Sequence, residues 1–124
     1  MSEAPLILIV EDDPTVQGLL RTIMETEGYD VITATDGLEG LLKAEFRTPS
    51  AIILDVMMPN IDGERVLVEM RSRAELADVP VLICTGLADA HAIFDDMVGH
   101  DNVIPKPFDP DVLTRRIAEL LAER

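Results

Sequence analysis

Six polar side chains stand directly after the short apolar runs of this sequence, and their types suit ionic chemistry. Acids follow the first and third runs, a threonine ends the fourth, and a lysine follows the fifth. They are Glu11, Asp12, Asp13, Asp55, Thr85 and Lys106. Crowded carboxylates repel one another and take up protons unless a cation neutralises them, so we expect a hard divalent ion where these acids meet.

The oxygen donors of such a group favour magnesium. A few carboxylates, completed by water and a backbone carbonyl, suit octahedral Mg²⁺ better than Ca²⁺. The segment Asn60-x-Asp62-Gly63, followed by Glu69, matches the later positions of an EF-hand calcium loop. However, Met58 stands where such a loop needs its first acid. We therefore interpret Asn60–Gly63 as a turn. The sequence also contains no glycine-rich motif of the dinucleotide-binding or nucleoside-triphosphate-binding kinds.

The apolar runs are short and continuous, as in strands that are buried on both faces of a sheet. The predicted strands are Leu6–Val10, Val31–Ala34, Ala51–Leu54, Val79–Cys84 and Val103–Ile104. Between them lie stretches with apolar residues at helical spacing, which predict helices. Examples are Val16, Leu19, Leu20, Ile23 and Met24 in the first, Leu38, Leu41, Leu42 and Phe46 in the second, and Ala90, Ile93, Phe94 and Met97 in the fourth.

Five strand–helix units in alternation predict an α/β fold: a doubly wound, five-stranded parallel sheet with five helices on its two faces. In open sheets of this kind, the functional site lies beyond the carboxyl ends of the strands, where the strand order reverses. The six polar residues stand at those ends. We therefore expect the fold to bring them into one cleft.

Length and composition limit the class of protein. The 124 residues are enough for one domain, and 48% of them are apolar, as in an ordinary globular chain. The formal net charge of −14 argues against direct binding of nucleic acid or of an anionic membrane. Cys84 has no partner for a disulfide, and no signal peptide or membrane span is evident, so we expect a cytoplasmic protein.

Four segments in order resemble the receiver domain of bacterial two-component response regulators. They are Val10-Glu11-Asp12-Asp13-Pro14, Ile52-Ile53-Leu54-Asp55-Val56-Met57-Met58-Pro59-Asn60-Ile61-Asp62-Gly63, Val81-Leu82-Ile83-Cys84-Thr85-Gly86 and Pro105-Lys106-Pro107-Phe108. The resemblance covers essentially the whole chain, so residues 1–124 are expected to form one receiver domain. It implies a flavodoxin-like, CheY-like fold with the strand order 2-1-3-4-5.

The resemblance also implies a role for each site residue. Asp55 corresponds to the phosphoacceptor, which takes a phosphoryl group from the phosphohistidine of a sensor histidine kinase or phosphotransfer protein. Thr85 and Lys106 correspond to the site hydroxyl, which supplies a hydrogen bond, and the site ammonium, which supplies a cationic contact to the phosphoryl oxygens. The implied Mg²⁺ ligands are Glu11, Asp12, Asp55 and the backbone carbonyl of Met57, with Asp13 as a candidate further ligand. The peptide bond after Lys106 is commonly cis in this family.

Some positions depart from the family pattern. Val103 stands where receivers usually carry a Tyr or Phe whose rotation accompanies the threonine movement, so the usual output through an aromatic ring is not expected. Met57 and Leu87 occupy places where polar side chains in some members orient the hydrolytic water. Their apolar side chains predict slow dephosphorylation. His91 and His100 lack a Cys or His at metal-binding spacing, which predicts solvated side chains.

We expect a phosphorylation-dependent switch of protein–protein interactions rather than an enzyme acting on other molecules. The alternatives are a constitutive pseudo-receiver and a small phosphatase or phosphotransferase with an aspartate nucleophile, although Met57 stands where such enzymes place their general acid. The expected partners are the kinase and a downstream protein that the sequence does not identify, and the expected state is a monomer or weak homodimer. The opening Met1 slightly favours a free-standing regulator or an N-terminal fragment.

Overall fold

Strands and helices alternate along the part of the chain that the computed structural model describes, residues 3–57 and 63–123. The strands are β1 (Leu6–Val10), β2 (Asp30–Ala34), β3 (Ala51–Leu54), β4 (Val81–Thr85) and β5 (Val103–Pro105). The helices are α1 (Pro14–Thr26), α2 (Gly37–Phe46), α3 (Gly63–Arg71), α4 (Ala90–Val98) and α5 (Pro110–Ala122), with a 3₁₀ turn at His100–Asn102. The predicted turn Asn60–Gly63 and the Met58 position of the calcium comparison fall largely outside the described residues.

The strands form one parallel sheet in the order β2-β1-β3-β4-β5, which confirms the predicted topology. Every residue of β1, β3 and β4 is buried, because helices cover both faces of these strands. Three strands differ from their predicted bounds: β2 begins one residue earlier, at Asp30, β5 ends one residue later, at Pro105, and β4 shifts at both ends. Val79 donates its N–H to the carbonyl of Leu76 in a turn, so β4 begins at Val81 and ends at Thr85.

The core has two layers because successive side chains of a strand point to opposite faces. In β1, Leu8 and Val10 join the layer that also contains buried residues of α2, α3 and α4. Ile7 and Ile9 join the layer that contains residues of α1 and α5. Side chains on both faces therefore hold β1 rigidly at the centre of the sheet, directly before the acidic segment.

The second helix is present as predicted, but of its four predicted apolar residues only Leu41 lies on the buried face. Leu38 and Leu42 are exposed, and Phe46 has 93% of its surface accessible. Helix α2 instead buries Gly37, Gly40, Leu41 and Ala44. A Cβ on Gly40 would lie 2.8 Å from Cγ2 of Val10, so the helix lies close to β1 and small residues must face the sheet. In α1 and α4, the predicted apolar residues Leu19 and Ile93 are likewise exposed.

Strand β2 lies at one end of the sheet, where the outer side of a strand offers unpaired backbone groups. The ammonium of Lys43 in α2 donates a hydrogen bond to the carbonyl of Thr33 in this strand at 2.5 Å. The exposed side chains of Arg47 and Asp30 form an ion pair nearby, with 3.8 Å between Nη2 and Oδ2.

Among the described residues, none of the helices combines the length and apolar character required to cross a bilayer.

Candidate functional site

The carboxyl ends of four neighbouring strands hold the predicted site residues. Parallel hydrogen bonding continues past the strand ends: the Asp55 N–H donates to the Val10 carbonyl at 3.0 Å, and the Lys106 N–H donates to the Thr85 carbonyl at 2.9 Å. The Glu11 N–H donates to the carbonyl at the end of β2 in the same way. The backbone positions of these residues are therefore set by the sheet rather than by a loop.

Three carboxylates converge at this edge. Glu11, Asp12 and Asp55 can each offer one oxygen such that all three oxygens lie within 4.8 Å of one another. Glu11 and Asp55 are 2% and 6% exposed, whereas Asp12 is open to solvent. An all-oxygen donor set with one solvent-facing member fits a hard ion such as Mg²⁺, which keeps part of its water shell.

Lys106 brings a positive charge to the two buried carboxylates. Its Nζ lies 2.5 Å from Oε1 of Glu11 and 3.2 Å from Oδ2 of Asp55. Burial raises the pKa of Glu11 although the hydrogen bond from Lys106 opposes the change. Burial alone would lower the pKa of Lys106, but the hydrogen bond to Glu11 and the charge of Asp55 raise it overall. The lysine therefore stays protonated. The Lys106–Pro107 peptide bond is cis, as expected.

Backbone donors and a helix side chain orient the acids. The Met57 N–H donates to Oδ1 of Asp55 at 3.0 Å, and the Asp13 N–H donates to Oε2 of Glu11 at 3.1 Å. The amide Nε2 of Gln17 donates to the backbone carbonyl of Glu11 at 2.9 Å and to the carbonyl that ends β2 at 3.2 Å. Sequence analysis missed Gln17; its position about one turn into α1, after an acidic strand end, is the only signal for it.

Thr85 is the last residue of β4 and is fully buried. Its hydroxyl accepts a hydrogen bond from the Leu87 N–H at 3.2 Å. Thr85 also lines a cavity of about 230 Å³ together with Lys106, Val103 and His91. The predicted hydroxyl and ammonium therefore share one concavity beside the carboxylates.

Asp13 has a different position from its two acidic neighbours. Its carboxylate caps α1 by accepting hydrogen bonds from the N–H groups of Thr15 at 2.9 Å and Val16 at 3.4 Å. This is the usual arrangement for an acid before a proline that begins a helix. Within the described residues, the converging carboxylate group consists of Glu11, Asp12 and Asp55.

Two further sequence expectations can be compared with the structure. Cys84 is buried in the core, and burial raises the pKa of its thiol to about 12, so it packs as a small apolar group.

His91 and His100 are exposed as predicted, but they have hydrogen-bond partners. Both Nδ1 atoms contact the carboxylate of Asp95, at 2.8 and 2.7 Å. The spacing argument considered only Cys and His as partners and therefore did not include Asp95.

Comparisons with known proteins identify relatives of this chain. The family model of the response regulator receiver domain matches residues 7–118. The DNA-binding dual master transcriptional regulator RpaA of Synechocystis is 39% identical over 120 residues, which are 94% of this chain and 49% of that protein. The chain spans about half the length of the curated relatives it matches.

Solved structures show the same architecture. A CheY-like receiver domain protein from Methanospirillum hungatei has a TM-score of 0.88 and 30% identity, covering 98% of this chain and 96% of that one. The receiver domain of a sensor histidine kinase from Pseudomonas aeruginosa, described with a magnesium ion coordinated in its active site cleft, has a TM-score of 0.82 and 25% identity, covering 96% and 98%. Sheet order, strand-end residues and family match all agree: the chain belongs to the response regulator receiver domain family.

Proposed function

We propose that this receiver domain accepts a phosphoryl group on Asp55 from a sensor histidine kinase or phosphotransfer protein, in a reaction that requires Mg²⁺. The observation that carries the proposal is the position of Asp55. Its carboxylate is nearly buried, and one of its oxygens lies within 4.8 Å of carboxylate oxygens of Glu11 and Asp12. The Lys106 ammonium lies 3.2 Å from Oδ2 of Asp55. A carboxylate held in this way is an established type of phosphoryl acceptor.

The chain's own groups account for orientation of the nucleophile. The Met57 N–H holds Oδ1 of Asp55, and Lys106 contacts Oδ2, so both oxygens have a defined direction before a phosphodonor arrives. Phosphoryl transfer needs mainly positioning and stabilisation of charge on the three equatorial oxygens. Thr85 and Lys106 line the same cavity, which supports the proposal that the hydroxyl and the ammonium contact those oxygens.

Glu11, Asp12, one oxygen of Asp55 and the backbone carbonyl of Met57 would hold the magnesium ion. The proposal is supported by the all-oxygen donor set and by the magnesium ion described for the related Pseudomonas receiver domain. When bound, the ion would supply positive charge to the transferring phosphoryl group and neutralise the carboxylates. The Asp13 side chain caps α1, so we propose that it contributes charge near the ion rather than a ligand atom.

The output of the domain is proposed to be a change in protein–protein contacts. Phosphorylation adds negative charge and strong acceptors that favour inward movement of Thr85 and Lys106. We propose a cytoplasmic switch, monomeric or weakly dimeric, that catalyses only its own phosphorylation and dephosphorylation. The net charge of −14 supports the absence of direct nucleic-acid contacts by this domain. The description of RpaA as DNA-binding applies to that longer protein.

Incubation with acetyl phosphate, with and without Mg²⁺, followed by intact-mass measurement, tests the proposal. Wild type should gain one phosphoryl group only with Mg²⁺, and Asp55→Asn should gain none. Asp89→Asn is the matched control, because Asp89 is exposed and makes no side-chain capping hydrogen bond to α4. An unmodified wild type, or equal modification of Asp55→Asn, would rule the proposal out and would leave the pseudo-receiver alternative.

A further inference from the structure

A second group of potential metal ligands lies along α4 and in the turn that follows it. His91 and Asp95 are four residues apart in this helix, so their side chains lie on the same face one turn apart. His100 follows in the 3₁₀ turn, and one ligand atom from each residue can be chosen so that all lie within 4.8 Å of one another. Of the described residues, these and the acidic cleft are the groups of His, Cys, Asp and Glu that meet this criterion.

The two imidazoles are already arranged around the carboxylate. Nδ1 of His91 lies 2.8 Å from Oδ1 of Asp95, and Nδ1 of His100 lies 2.7 Å from Oδ2. The rings are stacked, with 4.3 Å between centroids and 24° between planes. Tetrahedral ligands about 2.0 Å from a zinc ion are about 3.3 Å apart, so each nitrogen–oxygen pair needs to separate by about half an ångström to admit an ion. The stacked rings must also turn relative to each other so that both Nδ1 lone pairs point at the ion, and the His100 side chain, which is 71% exposed, has room to do so.

The backbone that carries His100 is held firmly. Gly99 has φ +97°, a left-handed conformation that turns the chain back after α4. Asn102, in the same turn as His100, donates from Nδ2 to the carbonyl of Val98 at 2.6 Å and accepts from Nε of Arg116 in α5 at 2.7 Å. Two helices therefore position the turn. A site whose ligands stand on rigid elements pays little ordering entropy when an ion binds.

We propose that His91, Asp95 and His100 form a binding site for a divalent transition-metal ion of the zinc class. Two imidazole nitrogens and one carboxylate oxygen are the donors that Zn²⁺ accepts, whereas Mg²⁺ prefers oxygen alone. The net charge of −14 attracts cations generally, and all three side chains are at least partly open to solvent. Any proton on a coordinating Nδ1 is released to solvent as the ion binds. Water completes the coordination.

The proposed ion would sit on the helix that borders Thr85. His91 lines the cavity of about 230 Å³ that Thr85 and Val103 also line. An ion bound to His91, Asp95 and His100 would join α4 to the turn before β5. The site is separate from the acidic cleft, and its existence does not depend on phosphorylation of Asp55.

The test is a Zn²⁺ titration of the full chain with excess Mg²⁺ present to occupy the acidic cleft, followed by calorimetry and by imidazole ¹⁵N NMR. The chain has two histidines, so both resonances can be assigned to this cluster. We expect one Zn²⁺ per chain, with both imidazole signals shifted. Asp95→Asn and His100→Gln should each weaken binding by at least about tenfold. Asp96→Asn, an equal change of charge on the next residue of the helix, should keep the wild-type affinity within about twofold.

Three outcomes would overturn the proposal. The first is no binding in the presence of Mg²⁺, which would place any Zn²⁺ affinity in the acidic cleft. The second is binding with unchanged imidazole signals. The third is equal affinity in Asp95→Asn or His100→Gln and in wild type, which would leave the cluster as a hydrogen-bonded group only. Circular dichroism of each variant shows whether α4 is intact, so loss of binding is not confused with loss of structure.

Discussion

Nζ of Lys106 lies 2.5 Å from Oε1 of Glu11, a contact between residues that are 95 positions apart in the chain. It joins the ends of β5 and β1 across the site, and the same ammonium reaches Asp55 at 3.2 Å. The lysine is the counter-ion for two buried carboxylates before any metal ion or phosphoryl group is present.

Lys106→Ala should therefore destabilise the Mg²⁺-free protein. Removing one partner of a largely buried ion pair leaves uncompensated charge, and we expect a loss of about 2–3 kcal/mol in the free energy of unfolding, measured by urea denaturation. Addition of Mg²⁺ should recover part of it. Lys43→Ala is the matched control, since Lys43 is the other lysine of the chain and is exposed, and it should lose at most about 1 kcal/mol. Equal losses in the two variants would contradict this role of Lys106.

Two substitutions of Asp13 should distinguish its role as a helix cap from the effect of its negative charge. Asp13→Ala loses the acceptor for the N–H groups of Thr15 and Val16, which should reduce stability by about 1 kcal/mol. Asp13→Asn keeps a capping oxygen and should remain close to wild type in stability. Both should still be phosphorylated on Asp55 by acetyl phosphate with Mg²⁺. Loss of phosphorylation in Asp13→Asn would instead make Asp13 a metal ligand.

Two glycines in helices should respond in opposite directions to alanine. A Cβ on Gly63 would clash with Cα of Val56, which is backbone directly after Asp55, so α3 would have to move away. We expect Gly63→Ala to lose about 2 kcal/mol. Gly18 in α1 has no atom within 4 Å of the same position, and Gly18→Ala should gain about 0.5–1 kcal/mol through helix propensity. Thermal denaturation of both variants measures the difference, and stabilisation of Gly63→Ala would refute the close contact.

The pKa of His100 should lie above 6.5 in the metal-free protein. The hydrogen bond to Asp95 is the largest cause, and the negative charges of Asp95 and Asp101 add to it. The same hydrogen bond lowers the pKa of Asp95. Asp95 stabilises the protonated imidazole, so this contribution to folding is complete below pH 6.5 and disappears as pH rises through the raised pKa.

NMR titration of the two imidazoles measures this shift directly. Asp95→Asn should return His100 toward its ordinary pKa, whereas Asp96→Asn should leave it raised. Because His91 stacks on His100 and shares the carboxylate, both rings should be followed in the same titration. A wild-type His100 that titrates at or below 6.5 would show that the pair does not persist in solution.

The aspartyl phosphate should be long-lived. The N–H groups of Met57 and Leu87 hydrogen-bond Asp55 and Thr85, but their side chains are apolar and cannot orient an attacking water molecule. Met57→Asn, which adds a polar group at an exposed position beside Asp55, should shorten the lifetime. Loss of phosphate after removal of acetyl phosphate, followed by intact mass with Mg²⁺ present, gives the rate. Decay of wild type within seconds would contradict the prediction.

Most of the fold could be predicted from sequence because each buried strand is a continuous apolar run ending at a polar residue. The alternation of strands and helices then determines which ends meet, and that is why Glu11, Asp55 and Lys106 were predicted to lie together. The helix faces were less predictable. Small residues face the sheet in α2 because Gly40 packs closely against Val10. Helical periodicity in the sequence does not reveal how close a helix lies to the sheet.

The cluster of His91, Asp95 and His100 could not be predicted for a related reason. His91 and Asp95 are visible as a helical pair, but His100 joins them only because Gly99 adopts a positive φ and Asn102 fixes the following turn. Gln17 was missed because its partners are backbone carbonyls, which carry no sequence signal.

The Lys43 contact at the outer strand bears on how this domain behaves at high concentration. Its ammonium occupies the Thr33 carbonyl, one of the acceptors with which β2 would otherwise recruit a strand from another molecule. Together with the mutual repulsion of chains carrying −14 charges, this makes growth of an intermolecular sheet from that edge unfavourable. Lys43 thus acts as a local block to strand addition at this edge of the sheet.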